Sequence, residues 1–354
     1  MMKVLKDLGS GTFGSVKMVR DGMDQEFAVK ISHVVKNDLK QTFRLAASMR
    51  KEHWLLKTLH RDQSAAVGRQ YIVQLKHACW WNDLRFGLFM DCLSCTLREA
   101  MNQNGGAFDG PQVVRMGTQL LHALRFLATK RVIHGDLKPE NLMLAPDRVV
   151  IVDFSLSGLQ PSADDAPQTR VAKQIYSDPP PPAKWASVLK NDRNIVKTIG
   201  TNLVSRYYRP PEVAVAMANI APGENALLWR QKHYTPKIDV FSLACTLVEL
   251  LTDDFLLPSQ SDAEHLWYMA AVLGPPPTRS HLQECHAPGA MPALRRTPMQ
   301  VAFERVPSHV AACLEKMLAW DWTKERYSAA RALKALTTTA SLPVKEYSKK
   351  RKRA

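Results

Sequence analysis

No uncharged apolar run in this chain approaches the roughly 18 to 20 residues needed to span a bilayer, and Met1 to Gly11 lacks the apolar stretch of a secretory leader. Both absences point to a soluble intracellular protein. Cysteine is scarce: six residues, irregularly placed among 354, read as reduced thiols rather than a disulfide framework. Cys92 and Cys95 form a lone C-x-x-C with no second ligand pair, which argues against structural zinc. Acidic residues are outnumbered, 33 Asp and Glu against 48 Lys and Arg, for a formal charge of +15. That excess favours anionic partners such as nucleotides, nucleic acids or acidic protein segments and says nothing about fold. Internal repeats, aromatic-rich strand motifs and zinc-finger spacing are all missing, so a nucleic-acid-binding reading rests on charge alone. What is present is a chain 45% hydrophobic, long enough to bury one or two sizeable cores and hence globular.

The strongest signal is His134-Gly-Asp-Leu-Lys-Pro-Glu-Asn141. Phosphoryl transfer needs a carboxylate to accept the proton of the attacking hydroxyl, and an amide five residues later to hold a metal ion; Asp136 and Asn141 have that spacing. Lys138 on the same loop can neutralise charge on a transferring phosphoryl group. Gly135 stands where the motif usually has Arg. Read alone, such a cluster also makes an ordinary solvated turn, and its specificity comes from the ordered partners elsewhere.

Those partners follow in order. Lys3–Leu8 and Ser15–Arg20 read as strands joined by Gly9-Ser-Gly-Thr-Phe-Gly14, and Glu26–Ile31 as a third strand carrying Lys30. A G-x-G-x-x-G between strands, followed by Val16, suits a flap over phosphates; the dinucleotide-binding version would open a helix, which Ser-Val-Lys-Met-Val does not. Leu45, Met49, Leu56 and Leu59 recur near helical spacing and place Glu52 where it could hold Lys30. Each of these charges alone could equally be a solvated surface residue. Tyr71–His77 and Arg85–Asp91 read as strands about an Asn82-Asp83 turn. Met90 then lies at the back of a pocket or in plain core, and the backbone of Asp91 to Leu93 could meet an adenine edge. Pro111 opens a strong helix, Leu142–Leu144 and Val149–Val152 a hairpin ending at Asp153-Phe-Ser155. Segment 160–194, with Pro179 to Pro182, reads as a flexible insertion. Thr235-Pro236 starts a largely buried helix, Ser261-Asp-Ala-Glu264 reads as a capping box, and helices follow near Val310–Trp320 and Tyr327–Leu336.

With these residues assembled, the chain resembles eukaryotic protein kinases from Gly9 to near Leu336. Leu203-Val-Ser-Arg-Tyr-Tyr-Arg-Pro-Pro-Glu212 is similar to the end of the activation segment in the CMGC group. Leu93-Ser-Cys-Thr-Leu-Arg-Glu99 and Cys245-Thr-Leu-Val-Glu-Leu250 resemble the pre-mRNA-processing splicing kinases, and Glu264-His-Leu266 with Val272-Leu-Gly-Pro275 a degenerate LAMMER signature. The branch shared by the dual-specificity tyrosine-regulated, LAMMER, SR-protein and splicing kinases is therefore expected. The resemblance implies an α+β bilobal protein kinase fold, with a small β-rich N-lobe (1–91) containing one long helix, a hinge (92–95), a larger mainly helical C-lobe (96–340), and a basic tail (341–354). It implies a Ser/Thr kinase using ATP and Mg²⁺, with possible dual specificity and substrates tied to splicing. By position it implies Asp136 as catalytic base, Lys138 as phosphate clamp, Asn141 and Asp153 as Mg²⁺ ligands, and Lys30 with Glu52 as the pair orienting ATP. The nucleotide would lie among Leu8, Gly9, Ser10, Gly11, Thr12, Phe13, Gly14, Val16, Ala28, Lys30, Met90, Asp91, Leu93 and Met143. Glu212 would brace the large lobe through Arg326, although Asp321-Trp-Thr-Lys-Glu-Arg326 is one residue longer than the usual motif. Arg206 and Arg209 would remain available to an activation-segment phosphate, and Glu140 would meet basic residues upstream of the acceptor.

Three departures accompany these matches. Gly135 removes an Arg that clasps an activation-loop phosphate in many kinases, Asn202 occupies the place of an activating Tyr, and Ser155 stiffens a hinge that Gly would leave loose. The expected protein is a monomeric kinase acting on protein substrates, needing neither nucleic acid nor membrane, and distributed between nucleus and cytoplasm on account of Lys349-Lys-Arg-Lys-Arg353. A pseudokinase scaffold, favoured by Ser155 and Gly135, and a basic nucleic-acid-binding protein are the rival readings.

Overall fold

A computed structural model describes residues 2–61, 67–160, 179–180, 182–185, 204–219, 233–274 and 297–337. The expectations for Asn202, the Pro-rich loop after Gly274, most of 160–194 and the basic tail lie outside the described residues.

Strands β1 (Lys3–Ser10), β2 (Gly14–Arg20), β3 (Glu26–Ser32), β4 (Leu75–Asn82) and β5 (Arg85–Met90) form one antiparallel sheet in the order β1-β2-β3-β5-β4. Successive side chains of a strand face opposite ways, so Val29 and Ile31 join Val19 and Phe89 in a small cluster while Lys30 points to the other face. That second face is covered by α1 (Leu39–Arg61). The fourth strand begins later than the apolar run Tyr71–His77 suggests. Residues Val67–Tyr71 make a short helical turn, and Ile72 and Val73 instead bond to Ile151 in the larger lobe, which draws them out of the N-terminal sheet.

Below the sheet, Ser94 to Thr96 run beside Met143 and Leu144, with Ser94 N donating to Leu144 O and Leu144 N to Cys95 O. Capping boxes start α2 (Leu97–Gln103) at Thr96 and α3 (Gly110–Thr129) at Asp109. Helix α3 delivers the chain to β6 (Val132–Ile133); β7 (Leu142–Leu144) pairs with β8 (Val149–Ile151), and β9 (Gly158–Leu159) with β6. The remaining C-terminal helices are α4 (Pro211–Asn219), α5 (Lys237–Thr252), α6 (Asp262–Leu273), α7 (Pro298–Glu304), α8 (Ser308–Met317) and α9 (Ala329–Thr337). Helix α5 is buried over nearly its whole length, as its apolar sequence predicts. At α6, Ser261 accepts from Glu264 N, but the Glu264 carboxylate takes Gln260 N, one residue before the cap, so the expected box is completed one position early. The two last helices are shifted by up to three residues from the periodicity, Tyr327 bonding back to Lys316 O ahead of α9. Among the described residues no helix is long and apolar enough to cross a membrane.

Candidate active site

Lys30 sits mid-strand on β3, opposite Val16 on β2 and Leu88 on β5, and its Nζ lies 2.7 Å from Glu52 Oε2 and 2.7 Å from Asp153 Oδ1. Glu52 Oε1 also accepts Phe154 N at 3.0 Å, so one carboxylate ties α1 both to the sheet and to the segment after β8. Burial works against the Lys30 ammonium, but Asp153 and Glu52 more than offset it and hold its pKa above the ordinary value. Burial likewise opposes ionisation of Asp153, yet Lys30 and the bonds from Ser155 keep it well below the usual carboxylate range. Glu52, wholly enclosed and facing a second carboxylate, is shifted up, mainly by burial and against the pull of Lys30. The result is one cation shared by two carboxylates, with the Asp153 side chain 38% exposed toward the cleft.

Asp153 has φ of 60°, and Ser155 N closes back on its Oδ1 at 3.2 Å. Ser155 itself is absent from the positive-φ residues and is buried. The Ser therefore occupies backbone that any residue adopts, without strain.

The catalytic loop is pinned from below. His134 N and Gly135 N donate to the two oxygens of the buried Asp239 on α5, at 2.7 and 2.8 Å. Gly135 has φ of 79°, a conformation in which a side chain is strained, and a Cβ would come 3.3 Å from Leu156 O. Above this turn Asp136 is surrounded by donors. Oδ1 accepts Ser205 Oγ at 2.6 Å and Ser205 N at 3.1 Å; Oδ2 accepts Asn141 Nδ2 at 2.9 Å and faces Lys138 Nζ at 2.9 Å. Lys138 Nζ also reaches Ser205 Oγ at 2.9 Å.

The glycine flap divides in two. A Cβ on Gly14 would strike Ile31 O at 2.3 Å, so that position is structural, whereas Gly9 and Gly11 have nothing within 4 Å and leave open space. Leu8, Ser10 and Thr12 are exposed and Phe13, Val16, Ala28, Asp91, Leu93 and Met143 partly so, while Met90 is buried, as either of its readings requires. Asn141 Nδ2 is spent on Asp136, which leaves its carbonyl oxygen as the atom to offer a metal, and Asp153 commits Oδ1 to Lys30. Hard oxygen donors on Asn141 and Asp153 fit Mg²⁺, which takes one or two protein ligands and completes its shell with phosphate and water. Among the described residues no group of three or more His, Cys, Asp or Glu stands ready to hold a metal unaided.

In the lower lobe Arg326 and Glu212 form a two-pronged pair at 2.6 and 3.0 Å, both side chains fully enclosed, with the guanidinium 4.9 Å from the Phe241 ring. The extra residue in 321–326 is absorbed by a turn in which Asp321 O accepts the amides of both Glu325 and Arg326. Arg206 and Arg209 both reach Asp262 at the start of α6, and Arg206 also holds Gln260 O at 2.7 Å. Glu140 accepts from Arg98 on α2 at its Oε1, at 2.8 Å, and Arg98 also bonds Glu249, whose other oxygen takes the Tyr208 hydroxyl at 2.6 Å.

Sequence reasoning passed over Ser205, Asp239, Arg98 and Asp262. Ser205 lies inside the 203–212 motif, where the arginines are the more conspicuous residues. Asp239 had a visible signal: a carboxylate in an otherwise apolar helix is costly to bury unless it has donors to meet.

Comparison with known proteins agrees with this geometry. The protein kinase domain family matches residues 2–180. Similar proteins include cyclin-dependent kinase F-3 of Oryza sativa subsp. japonica, 27% identical over 277 residues, covering 77% of this chain and 49% of that protein. Serine/threonine-protein kinase AFC2 of Arabidopsis thaliana is 30% identical over 282 residues, covering 78% of this chain and 57% of its own length. Serine/threonine-protein kinase AFC3 of the same plant is 27% identical over 303 residues, at 83% and 64%. The chain thus spans about half the length of the curated relatives it matches. The relatives are CMGC kinases of the cyclin-dependent and AFC types.

Proposed function

The chain belongs to the protein kinase family, and from that premise we propose that it transfers the γ-phosphoryl group of ATP, with Mg²⁺, to Ser or Thr hydroxyls of protein substrates. The observation that carries this is Lys30 Nζ held 2.7 Å from both Glu52 and Asp153, a pairing that a merely structural lobe does not need.

In this reading Lys30, fixed by Glu52, holds the α and β phosphates beneath the flap whose Gly9 and Gly11 leave the backbone accessible. Asn141 and Asp153 would hold Mg²⁺, whose charge neutralises the phosphate oxygens as the γ-phosphoryl group departs. Asp136 orients the substrate hydroxyl and accepts its proton, with Ser205 and Asn141 fixing the carboxylate at the required angle. Lys138 stands beside it, placed to stabilise charge developing on the transferring group. Gly135 and Ser155, the two features favouring a pseudokinase, leave every charged group of the cleft in place. Nucleic acid has no role in this chemistry.

Radiolabelled phosphate transfer to a generic basic protein, with and without Mg²⁺, is the direct test. Asp136→Asn and Lys30→Met should each lower it by on the order of 10² to 10⁴ while the protein stays folded. A folded Asp136→Asn protein with near wild-type transfer would sink the assignment.

A further inference from the structure

Helix α1 is buried on two sides. Met49, Leu56 and Leu59 join the main core and Glu52 meets Lys30 of the sheet, on the side its apolar periodicity predicts. Phe43, Ala47 and Arg50, spaced i, i+4, i+7, share a second side roughly opposite Glu52, and they too are enclosed, at 0%, 1% and 0% exposure.

What covers that second side is Trp185, 1% exposed, from the segment between Asp153 and Ser205. Its ring lies 5.0 Å from Phe43 and 6.1 Å from Trp80 of β4, nearly parallel to the latter. The indole Nε1 donates to Asp83 O in the β4–β5 turn at 2.9 Å, and a one-turn helix closed by Trp185 N on Pro182 O presents the ring. A second tie lies nearby: Arg50 donates to Pro179 O at 2.7 Å, its guanidinium 5.5 Å from the Trp80 ring and 5.8 Å from Phe86.

We propose that Trp185 is a positioning residue for phosphotransfer: it bridges α1 to β4 and the β4–β5 turn and so keeps Glu52 on Lys30. The proposal rests on the kinase reading above. Glu52 meets Lys30 and Phe154 N only while α1 lies against the sheet. Removing Trp185 would take away its packing on Phe43 and Trp80 and its bond to Asp83 O, and so loosen the hold of α1 on the β4–β5 end of the sheet. The clamp also connects both halves of the site. The chain leaves from Asp153 through β9, crosses to the back of α1 at Pro179–Trp185, and returns at Ser205 to hold Asp136.

The test is steady-state kinetics on the full chain. Trp185→Ala should raise KM for ATP and lower kcat/KM by on the order of tenfold, while Trp185→Phe, which refills the slot, stays within about threefold of wild type. If Trp185→Ala does not fold, Trp185→Leu carries the same comparison. Acting through the ion pair, the substitution should add less than about twofold in a Glu52→Gln background; a purely structural Trp would lower activity there by the full factor. Hydrogen exchange at the α1 amides around Glu52 should rise in the variant. Wild-type KM and kcat with unchanged exchange, or full additivity with Glu52→Gln, would overturn the proposal. If the wild-type chain showed no phosphotransfer at all, the kinase reading would fall, and exchange at Glu52 alone would decide the clamp.

Discussion

The Ser205 hydroxyl donates to Asp136 Oδ1 at 2.6 Å and accepts from Lys138 Nζ at 2.9 Å, so a residue 69 positions downstream of the acid sets its orientation. Ser205 can reach it because Val204 N bonds Gly135 O at 3.0 Å, seating the returning chain on the catalytic loop.

Ser205→Ala should therefore lower kcat. A hydrogen bond to a charged group contributes about 1.5 to 3 kcal/mol, which corresponds to a loss of roughly 10- to 100-fold in rate. KM for ATP should change less than kcat, since Ser205 touches Lys138 but neither Lys30 nor the glycine flap. Ser205→Thr retains the hydroxyl and should stay within a few-fold of wild type. Equal losses in the Ala and Thr variants would show that packing rather than the hydroxyl is at stake.

Arg98 spans Glu140 and Glu249 and so competes with a substrate for the Glu140 carboxylate. The Glu140 side chain is 43% exposed, and an ion pair in that setting contributes at most about 1 kcal/mol. Wild-type protein should then show a weak preference for Arg upstream of the acceptor, and Arg98→Ala should strengthen it by up to about fivefold. Peptide arrays read this directly. A preference unchanged by Arg98→Ala, or one that survives Glu140→Gln in that background, would remove Glu140 from substrate recognition.

Much of this site was legible because its chemistry is local. The acid, cation and amide of residues 136–141 share one turn, and the Gly flap and Lys30 share one hairpin and its neighbouring strand. Periodicity also placed Glu52, since Leu45, Met49, Leu56 and Leu59 mark the side of α1 that faces inward. The second buried side was not legible. Phe43, Ala47 and Arg50 are covered by Trp185, which lies 135 residues beyond Arg50 in a Pro-rich stretch without periodicity. The pairing of Arg206 and Arg209 with Asp262 was not legible for a related reason, because Asp262 joins them only through the placement of α6. Long-range ion pairs leave no trace in local pattern.

His265 provides a pH signature. Its Nε2 lies 2.9 Å from Arg209 O and its Nδ1 2.9 Å from Ser259 Oγ. A carbonyl only accepts, so Nε2 carries a hydrogen toward Arg209 O, while the Ser259 hydroxyl, 3.5 Å from Leu257 O, can either donate to Nδ1 or accept from it. Burial, with Arg209 and Arg206 nearby and Asp262 opposing them, pushes its pKa down to about 4 from 6.5. The unfolded chain therefore takes up this proton first as pH falls. The contribution to stability is complete above about pH 6.5 and is lost progressively toward pH 4, up to about 3 kcal/mol. Urea midpoints at pH 7 and pH 4.5 should lie further apart in wild type than in His265→Gln, which cannot titrate. An identical pH dependence in the two proteins would rule out His265 as the group responsible.

Activity should not require a phosphate on the activation segment. Such a phosphate acts by pairing with arginines that would otherwise repel one another. Here Gly135 supplies no arginine to the catalytic loop, and Arg206 and Arg209 are already drawn together by the Asp262 carboxylate, which is built into the start of α6. Asp262 thus occupies the electrostatic role of the modification. Arg209 O is anchored as well, by His265, so the segment before α4 has its order without a covalent switch. Bacterially expressed protein should keep its activity after phosphatase treatment, and so should the Thr198→Ala, Thr201→Ala double variant. Asp262→Ala should lower kcat/KM several-fold, because it leaves two neighbouring guanidinium groups without their shared anion, whereas Asp262→Glu should retain most activity. Loss of activity on dephosphorylation, with Asp262→Ala unaffected, would show that a phosphate rather than this carboxylate organises the segment.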